Sequence, residues 1–442
     1  MDIQINNIGI IEHINVHCDG VTLITGNNGS GKSTFGKAID SLFVGMQNAP
    51  LIYVSALVKY FKTHIAQIVG FGDYGLERHY RFGVVNMRTF KSLYSILNSD
   101  RISLNFNYYD RLLNGVVREI EENREQFLIF LKTNNSFYEE RDIDLIIRQL
   151  IDFRYEFESM FFDKEKIETY IGQGIFDQLN NSFIGQVKPL NKKETKTTIS
   201  LVNKDFNVEF DYDSSTAYID GDYSLYNCFY IDDGSIIDRL YKARRRKPGY
   251  SITKSLEEEL LDKLESHSSN RDKVAANEKY KKIFDILNIV YPFEFILQYK
   301  SLLTTNNGVS IENEACGRKI FALIKEMLYR DLINENTVLI FDEPDNHLHP
   351  RWQNIFAKLL FEIAKTTGAN VFCITHSPTL LLAFDVFSRD DETNEVSGLN
   401  VYYCNPTDKN NGFLDVSNDI SKAHKGLSDP YIDLDLFGKD AI

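Results

Sequence analysis

The chain has 442 residues and a mass of 51.0 kDa, too long for one ordinary hydrophobic core, so two lobes or a domain with a large insertion is expected. Its 43% hydrophobic and 25% charged residues are the composition of a folded globular protein and exclude a wholly disordered chain. With 49 Lys+Arg against 63 Asp+Glu the formal net charge is -14, which excludes a surface basic throughout and confines any nucleic-acid contact to a local patch.

Residues 1–43 read as strands followed by a helix. VTLIT at 21–25 is a short apolar run before Gly26 and suits a buried strand; beyond it Phe35, Ala38, Ile39, Leu42 and Phe43 share one helical face. From 44 to 190 apolar residues recur at helical spacing. The stripe Tyr109, Leu112, Leu113, Val116, Val117, Ile120, Phe127, Leu128 and Leu131 marks a mainly helical insertion without sustained heptads or internal repeats.

Between 191 and 236 the period drops to two. Phe206, Val208, Phe210 and Tyr212 alternate with polar residues before a DSST turn, as antiparallel strands do, and NCFYI at 227–231 is expected to be another. The segment 237–300 is charged and helix-like, a linker or lever containing Arg244, Arg245, Arg246 and Lys247. Residues 301–405 alternate helix and strand, and 406–442 form a polar tail.

Cys18, Cys228, Cys316, Cys373 and Cys404 are odd in number and never spaced as CxxC, which suggests neither a disulfide framework nor a zinc site. The first ten residues, MDIQINNIGI, include an early acidic residue, and no stretch approaches membrane-spanning length. The expectation is a cytoplasmic protein with no membrane partner.

The chemistry is concentrated in three places. GNNGSGKST at 26–34 fits GxxxxGK[ST] between a predicted strand and a predicted helix. Its glycines let backbone N–H groups turn inward around phosphates, so Asn28, Gly29, Ser30, Gly31, Lys32, Ser33 and Thr34 are the candidate ATP-binding residues. Lys32 reaches the β- and γ-phosphates and the Ser33 hydroxyl ligates Mg²⁺. Far downstream, TVLIFDEPDNHLHP places Asp342 at the C-terminal end of a strand, where it completes the metal site, and Glu343 beside it, where it activates the attacking water. Pro350 then starts a helix with an apolar face of Trp352, Ile355, Phe356, Leu359, Leu360 and Ile363, ended by Gly368; the next strand ends at His376, which is placed to sense the γ-phosphate.

This motif order, GNNGSGKST, then VLIFDEP, then ITHS, resembles the ABC-type ATPases of the SMC, RecF and OLD-like branch. The resemblance implies an α/β fold: a P-loop ABC-type head with a parallel core sheet, an antiparallel β lobe and a large helical insertion. It also implies that two heads sandwich ATP between the phosphate loop of one and the signature loop of the other. NEACGRKIFALIKEML, FDEPDNHLHPRWQNIFAKLLFEIA and ITHSPTLLLAF further resemble PtuA, the ATPase subunit of Septu-type anti-phage systems that also occurs beside some retrons. That implies a head-to-head dimer or higher oligomer, an effector nuclease subunit of HNH type and, in the retron-associated alternative to a stand-alone system, a reverse transcriptase with its nucleic acid.

At the signature-like loop this sequence has Ala315 where the wider family supplies a serine. Gly317 and the following helix N-terminus would still reach phosphate through backbone amides, with slow hydrolysis as the consequence. His347 and His349 lack a third metal ligand of suitable spacing, and the resemblance places them near a dimer interface. The basic cluster at 244–247 reads as a solvated face or a contact for an acidic partner, with a nucleic-acid backbone as the alternative. The mixed apolar and acidic stretch at 427–437 reads equally as a docking peptide or a frayed terminus. The rival readings are a DNA-repair ATPase, a transporter subunit, which Ala315 disfavours, and a scaffold in which ATP is structural.

Overall fold

The computed structural model describes residues 1–69, 89–98, 102–134, 138–188, 196–202, 206–211, 213–221, 226–232, 270–293, 295–298, 302–305, 313–389, 398–405 and 413–428. The chain divides into two compact units, Met1–Gln47 with Gly172–Ile442 and, separately, Asn48–Ile171.

The larger unit is built on two main sheets. Strands β1 (Asp2–Ile8), β2 (Ile11–His17), β4 (Thr197–Leu201), β5 (Phe206–Asp211) and β6 (Thr216–Asp220) form an antiparallel sheet in the order β2-β1-β4-β5-β6. The expected alternation holds in β5, where Phe206, Val208 and Phe210 are buried and the residues between them are half-exposed; Tyr212 lies outside the described residues. One face of this sheet therefore meets the core.

The second sheet carries the site. Strands β3 (Val21–Gly26), β7 (Asn227–Ile231), β10 (Thr337–Asp342), β11 (Asn370–Thr375) and β12 (Leu399–Cys404) run parallel in the order β12-β3-β11-β10-β7, and β13 (Phe413–Asp415) adds an antiparallel edge beside β12. Every residue of β3 and β10 is buried, as parallel strands covered on both faces require. In register, Thr375 lies opposite Thr25, Ile374 opposite Asp342, and Tyr230 opposite Ile340, so the C-terminal ends of four neighbouring strands finish together. A short antiparallel hairpin, β8 (Phe295–Gln298) with β9 (Leu302–Thr305), stands apart from both sheets.

Two expectations are corrected here. NCFYI is a strand but not an antiparallel one: as β7 it is the edge of the parallel sheet. Consecutive burial of Cys228 and Phe229 is the mark of a strand covered on both faces. The segment 406–442 is not simply a tail. Its described part, 413–428, supplies β13 and a helix over 421–428, and Val416, Ile420, Ala423 and Leu427 lie in the main core at helical spacing. The rest of 427–437 and the basic cluster at 244–247 lie outside the described residues.

The helix after the phosphate loop, α1 (Lys32–Ile68), runs 37 residues and buries the predicted face, with Phe35, Ala38, Ile39, Leu42 and Phe43 at most 1% exposed. It continues well beyond residue 43 and contains Pro50. Contrary to the expectation, this helix is long and apolar enough to cross a membrane, but most of its apolar window is buried within the protein, as in a core helix. Among the described residues, further helices of the larger unit share the core of the parallel sheet, among them α7 (Asn270–Lys279), α8 (Lys281–Val290), α9 (Cys316–Tyr329), α10 (Pro350–Thr367) and α11 (Pro378–Ser388). Of the face predicted for α10, Phe356, Leu359, Leu360 and Ile363 are buried and Trp352 and Ile355 partly so; Gly368 at φ 74° ends the helix.

The smaller unit is helical, with α2 (Lys91–Asn98), α3 (Phe106–Glu122), α4 (Arg124–Asn134) and α5 (Glu140–Phe161) joining the later part of α1. The stripe read as one run is broken at Asn123, the C-cap of α3. Rings dominate its core: Phe61 lies 4.6 Å from Phe157, and Tyr109, Phe153 and Phe161 pack around them. The chain enters this unit within α1 and leaves it within α6 (Lys164–Ser182), so the helical insertion expected over 44–190 compares with a compact unit of Asn48–Ile171. Inside the larger unit those two helices touch backbone to backbone: a Cβ at Gly45 would lie 2.5 Å from Ile175 Cα.

Candidate functional site

The site is assembled where β3, β11, β10 and β7 end. After β3 the chain makes two left-handed glycine steps, Gly29 at φ 73° and Gly31 at φ 95°, and enters α1 at Lys32. Gly26 is required by its neighbour: a Cβ there would sit 2.0 Å from the carbonyl oxygen of Cys404 on β12. The first turn of α1 has no acidic residue, leaving its N-terminal partial charge unopposed. Around Gly29 there is open space where a side chain would point, and the buried Ser30 hydroxyl has no hydrogen-bond partner. Free N-terminal amides, an orphaned hydroxyl and a concave glycine turn fit a phosphate group.

Lys32 is 5% exposed, and its ammonium donates to the carbonyls of Gly26 at 2.9 Å and Asn27 at 2.8 Å. Burial pulls its pKa below the usual lysine value, opposed by the carboxylates of Glu343, Asp342 and Asp345 nearby. Across 309 residues of sequence, Ser33 Oγ donates to Asp342 Oδ1 at 3.2 Å. A hydroxyl and a carboxylate oxygen side by side at a phosphate loop are the hard oxygen donors that Mg²⁺ takes, so these residues fit that ion.

Asp342 ends β10 and is 7% exposed. Its other oxygen, Oδ2, accepts a short hydrogen bond from the Tyr230 hydroxyl on β7. Burial raises the Asp342 carboxyl above the usual range, with the Glu343 charge adding to the effect and the bonds from Tyr230 and Ser33 opposing it. Burial, then the Asp342 charge, also pushes the Tyr230 phenol up, so it stays protonated and donates.

Glu343 adopts a left-handed conformation, φ 51° and ψ 48°, uncommon for a residue with a side chain. Its N–H continues the ladder to Ile374 O at 2.8 Å, and the 3-10 turn Pro344–His347 follows it. Asn346 Nδ2 donates to Glu343 Oε2 at 3.0 Å, while His376 Nδ1 lies 3.4 Å from Oε1, an ion-pair distance without hydrogen-bond geometry. Beneath them Thr375 donates to Asp345 Oδ1 at 2.5 Å, Ser377 donates to Gln353 Oε1 at 2.9 Å, and Gln353 donates to the Leu348 carbonyl at 3.0 Å. This network ties the turn after β10 to the start of α11.

The structure thus brings Lys32, Ser33, Asp342, Glu343 and His376 to one strand edge. Asn28 is exposed on the loop, and the Thr34 methyl packs against Gly9, the turn between β1 and β2. Gly317 is placed differently. It is buried at the start of α9, where a Cβ would meet the His347 carbonyl oxygen at 2.4 Å, so a packing reason for this glycine is evident. Ala315 is the N-cap of α9 and makes no side-chain cap bond. His349 caps α10 by accepting from Arg351 N at 3.3 Å, His347 is exposed, and no metal-binding group of three such side chains occurs among the described residues.

Tyr230 and Asn346 were not read from the sequence. Asn346 stands three residues after Glu343, one turn of 3-10 helix, and that spacing is a usable signal. Tyr230 has none, because its partner is set by strand register across 112 residues.

A parallel sheet with a phosphate loop at one strand end and an acidic strand end beside it defines a nucleotide-binding P-loop fold. The chain belongs to the AAA ATPase domain family, whose model matches residues 1–381. No curated protein matches it. Among solved structures, it is similar to an Smc head bound to the C-terminal winged-helix domain of ScpA, at 13% identity over 95% of this chain and 98% of that one, with a TM-score of 0.40. It is also similar to an Smc head domain with an extended coiled coil bound to the C-terminal domain of ScpA, derived from Pyrococcus furiosus, at 12% identity over 97% and 98%, with a TM-score of 0.33. Likenesses this loose leave the fold to the family match and to the sheet itself.

Proposed function

We propose that the chain binds and slowly hydrolyses ATP with Mg²⁺, and works as the ATPase subunit of a bacterial anti-phage complex that controls a separate effector nuclease. The observation that carries the ATPase reading is the 3.2 Å approach of Ser33 to Asp342 beside the phosphate loop. Loop amides from Asn28 to Ser33, with Lys32, hold the phosphate chain. Ser33 and Asp342 would hold Mg²⁺, which would supply positive charge against that of the phosphate chain. Glu343, braced by Asn346, orients and deprotonates the attacking water, and His376 donates a hydrogen bond to the γ-phosphate.

The test is Glu343→Gln. ATP binding is expected to persist while hydrolysis falls by about 10²–10⁴-fold, the usual contribution of a general base. Unchanged hydrolysis refutes the assignment.

The defence role rests on the PtuA resemblance of the segments 313–328, 341–364 and 374–384. It entails two heads closing on ATP, with each Gly317 loop facing its partner's phosphates, and an HNH nuclease as effector, with or without a retron reverse transcriptase. Purification from native cells is expected to recover that nuclease. The RecF-like repair reading rests on the same motif order. It predicts instead DNA-stimulated hydrolysis that is abolished by charge reversal at Arg244, Arg245 and Arg246.

A further inference from the structure

We infer that Tyr230 is a positioning residue for the divalent cation: it holds one oxygen of Asp342 so that the other faces Ser33. The inference rests on the ATPase reading above and assigns a role to a residue outside its motifs.

The geometry has three parts. First, β7 and β10 are parallel neighbours with Tyr230 opposite Ile340, so Tyr230 shares a sheet face with Ile340 and with Asp342 two residues on. A long side chain at 230 is thereby aimed at the carboxylate. Second, α1 passes close over that face at Gly36. A Cβ there would stand 2.7 Å from Ile374 Cδ1 and 3.1 Å from Tyr230 Cε2, so the tyrosine ring is seated beneath the helix that supplies Ser33. Third, the two oxygens of Asp342 are divided: Oδ2 accepts from Tyr230 and Oδ1 accepts from Ser33. Left with one fixed donor, the carboxylate would be free to rotate about its terminal bond; with two it has one orientation.

Glu343 is treated similarly, with Asn346 on Oε2 and Oε1 turned toward His376. On each acid of the pair one oxygen accepts from a neutral donor outside the motifs, Tyr230 for Asp342 and Asn346 for Glu343. A neutral donor orients a carboxylate without cancelling the charge it offers to a cation. An arginine or lysine in place of Tyr230 would compete with the metal.

The test is Tyr230→Phe, which removes one oxygen and keeps the ring under Gly36. Mn²⁺ is the probe, its free concentration read by electron paramagnetic resonance with the full chain and ATP. Mn²⁺ affinity in the ATP complex is expected to fall about tenfold, the scale of one hydrogen bond to a charged group. ATP binding in EDTA is expected to stay within about twofold, which also reports that the variant is folded. In an Asp342→Asn background the same substitution is expected to add nothing.

Wild-type Mn²⁺ affinity in Tyr230→Phe overturns the inference, as does a full additional loss in the Asp342→Asn background. The underlying ATPase reading fails separately, if Ser33→Ala and Asp342→Asn bind Mn²⁺ with ATP as well as the wild type does.

Discussion

The strand edge of the larger unit and the aromatic interior of the smaller one are built by opposite means. At the edge, close backbone approach and paired polar atoms decide the arrangement: Gly26 against Cys404, Ser33 on Asp342, Thr375 on Asp345. In the helical unit, rings decide it, with Phe61, Phe153, Phe157 and Phe161 packed in tilted contacts and ion pairs such as Arg124–Asp144 left at the surface. The contrast teaches where sequence change is felt as chemistry and where it is felt as stability.

That contrast can be broken by substitution. The largest effect is expected from Phe157→Ala, fully buried in the helical unit, which should cost about 3–5 kcal/mol of unfolding free energy while leaving ATP affinity unchanged. Denaturant titration alongside ATP binding checks it, and a parallel loss of affinity would erase the distinction.

Next is Asp40 on α1, 8% exposed, with one oxygen unpartnered and its pKa pushed up to about 7 by burial, against a lowering bond from Cys228. A raised carboxyl pKa means the neutral form is favoured on folding. Its stabilising contribution is therefore complete below the unfolded value near 4 and is lost as pH rises through about 7. Asp40→Asn should be about 2–4 kcal/mol more stable than wild type at pH 8 and nearly equal to it at about pH 4, seen in paired thermal melts. A gain that ignores pH would assign the effect to packing instead.

Lys32→Ala should weaken ATP binding by about 1.5–3 kcal/mol, or roughly tenfold to a hundredfold, with little loss of stability because a buried, desolvated cation is removed with its cost. The smallest effect is expected at Arg124→Ala. Its pair with Asp144 is solvent-exposed, and the melting temperature should move by no more than about one degree.

Legibility in the sequence followed the same division. VTLIT, TVLIF and the following DE pair were readable because a strand buried on both faces is a continuous apolar run and the phosphate loop needs glycine at particular steps. The apolar faces of α1 and α10 were equally plain from their 3.6-residue period. What depends on pairing was not. NCFYI looks alike whether its neighbour is parallel or antiparallel, and β10, which decides the matter, begins 106 residues after the end of β7, Thr337 being counted from Ile231. Val416, Ile420, Ala423 and Leu427 were hidden among polar residues, and the onward course of α1 past residue 43 was masked by Pro50, which usually ends a helix.

The contact of Gly45 with Ile175 has a consequence for protein engineering. Because the outgoing and returning helices already touch before the chain divides, the ends left by removing 48–171 would lie side by side. A few glycine and serine residues joining Gln47 to Gly172 should then suffice to splice them. The truncated polypeptide would keep its phosphate loop and acidic strand end on one scaffold.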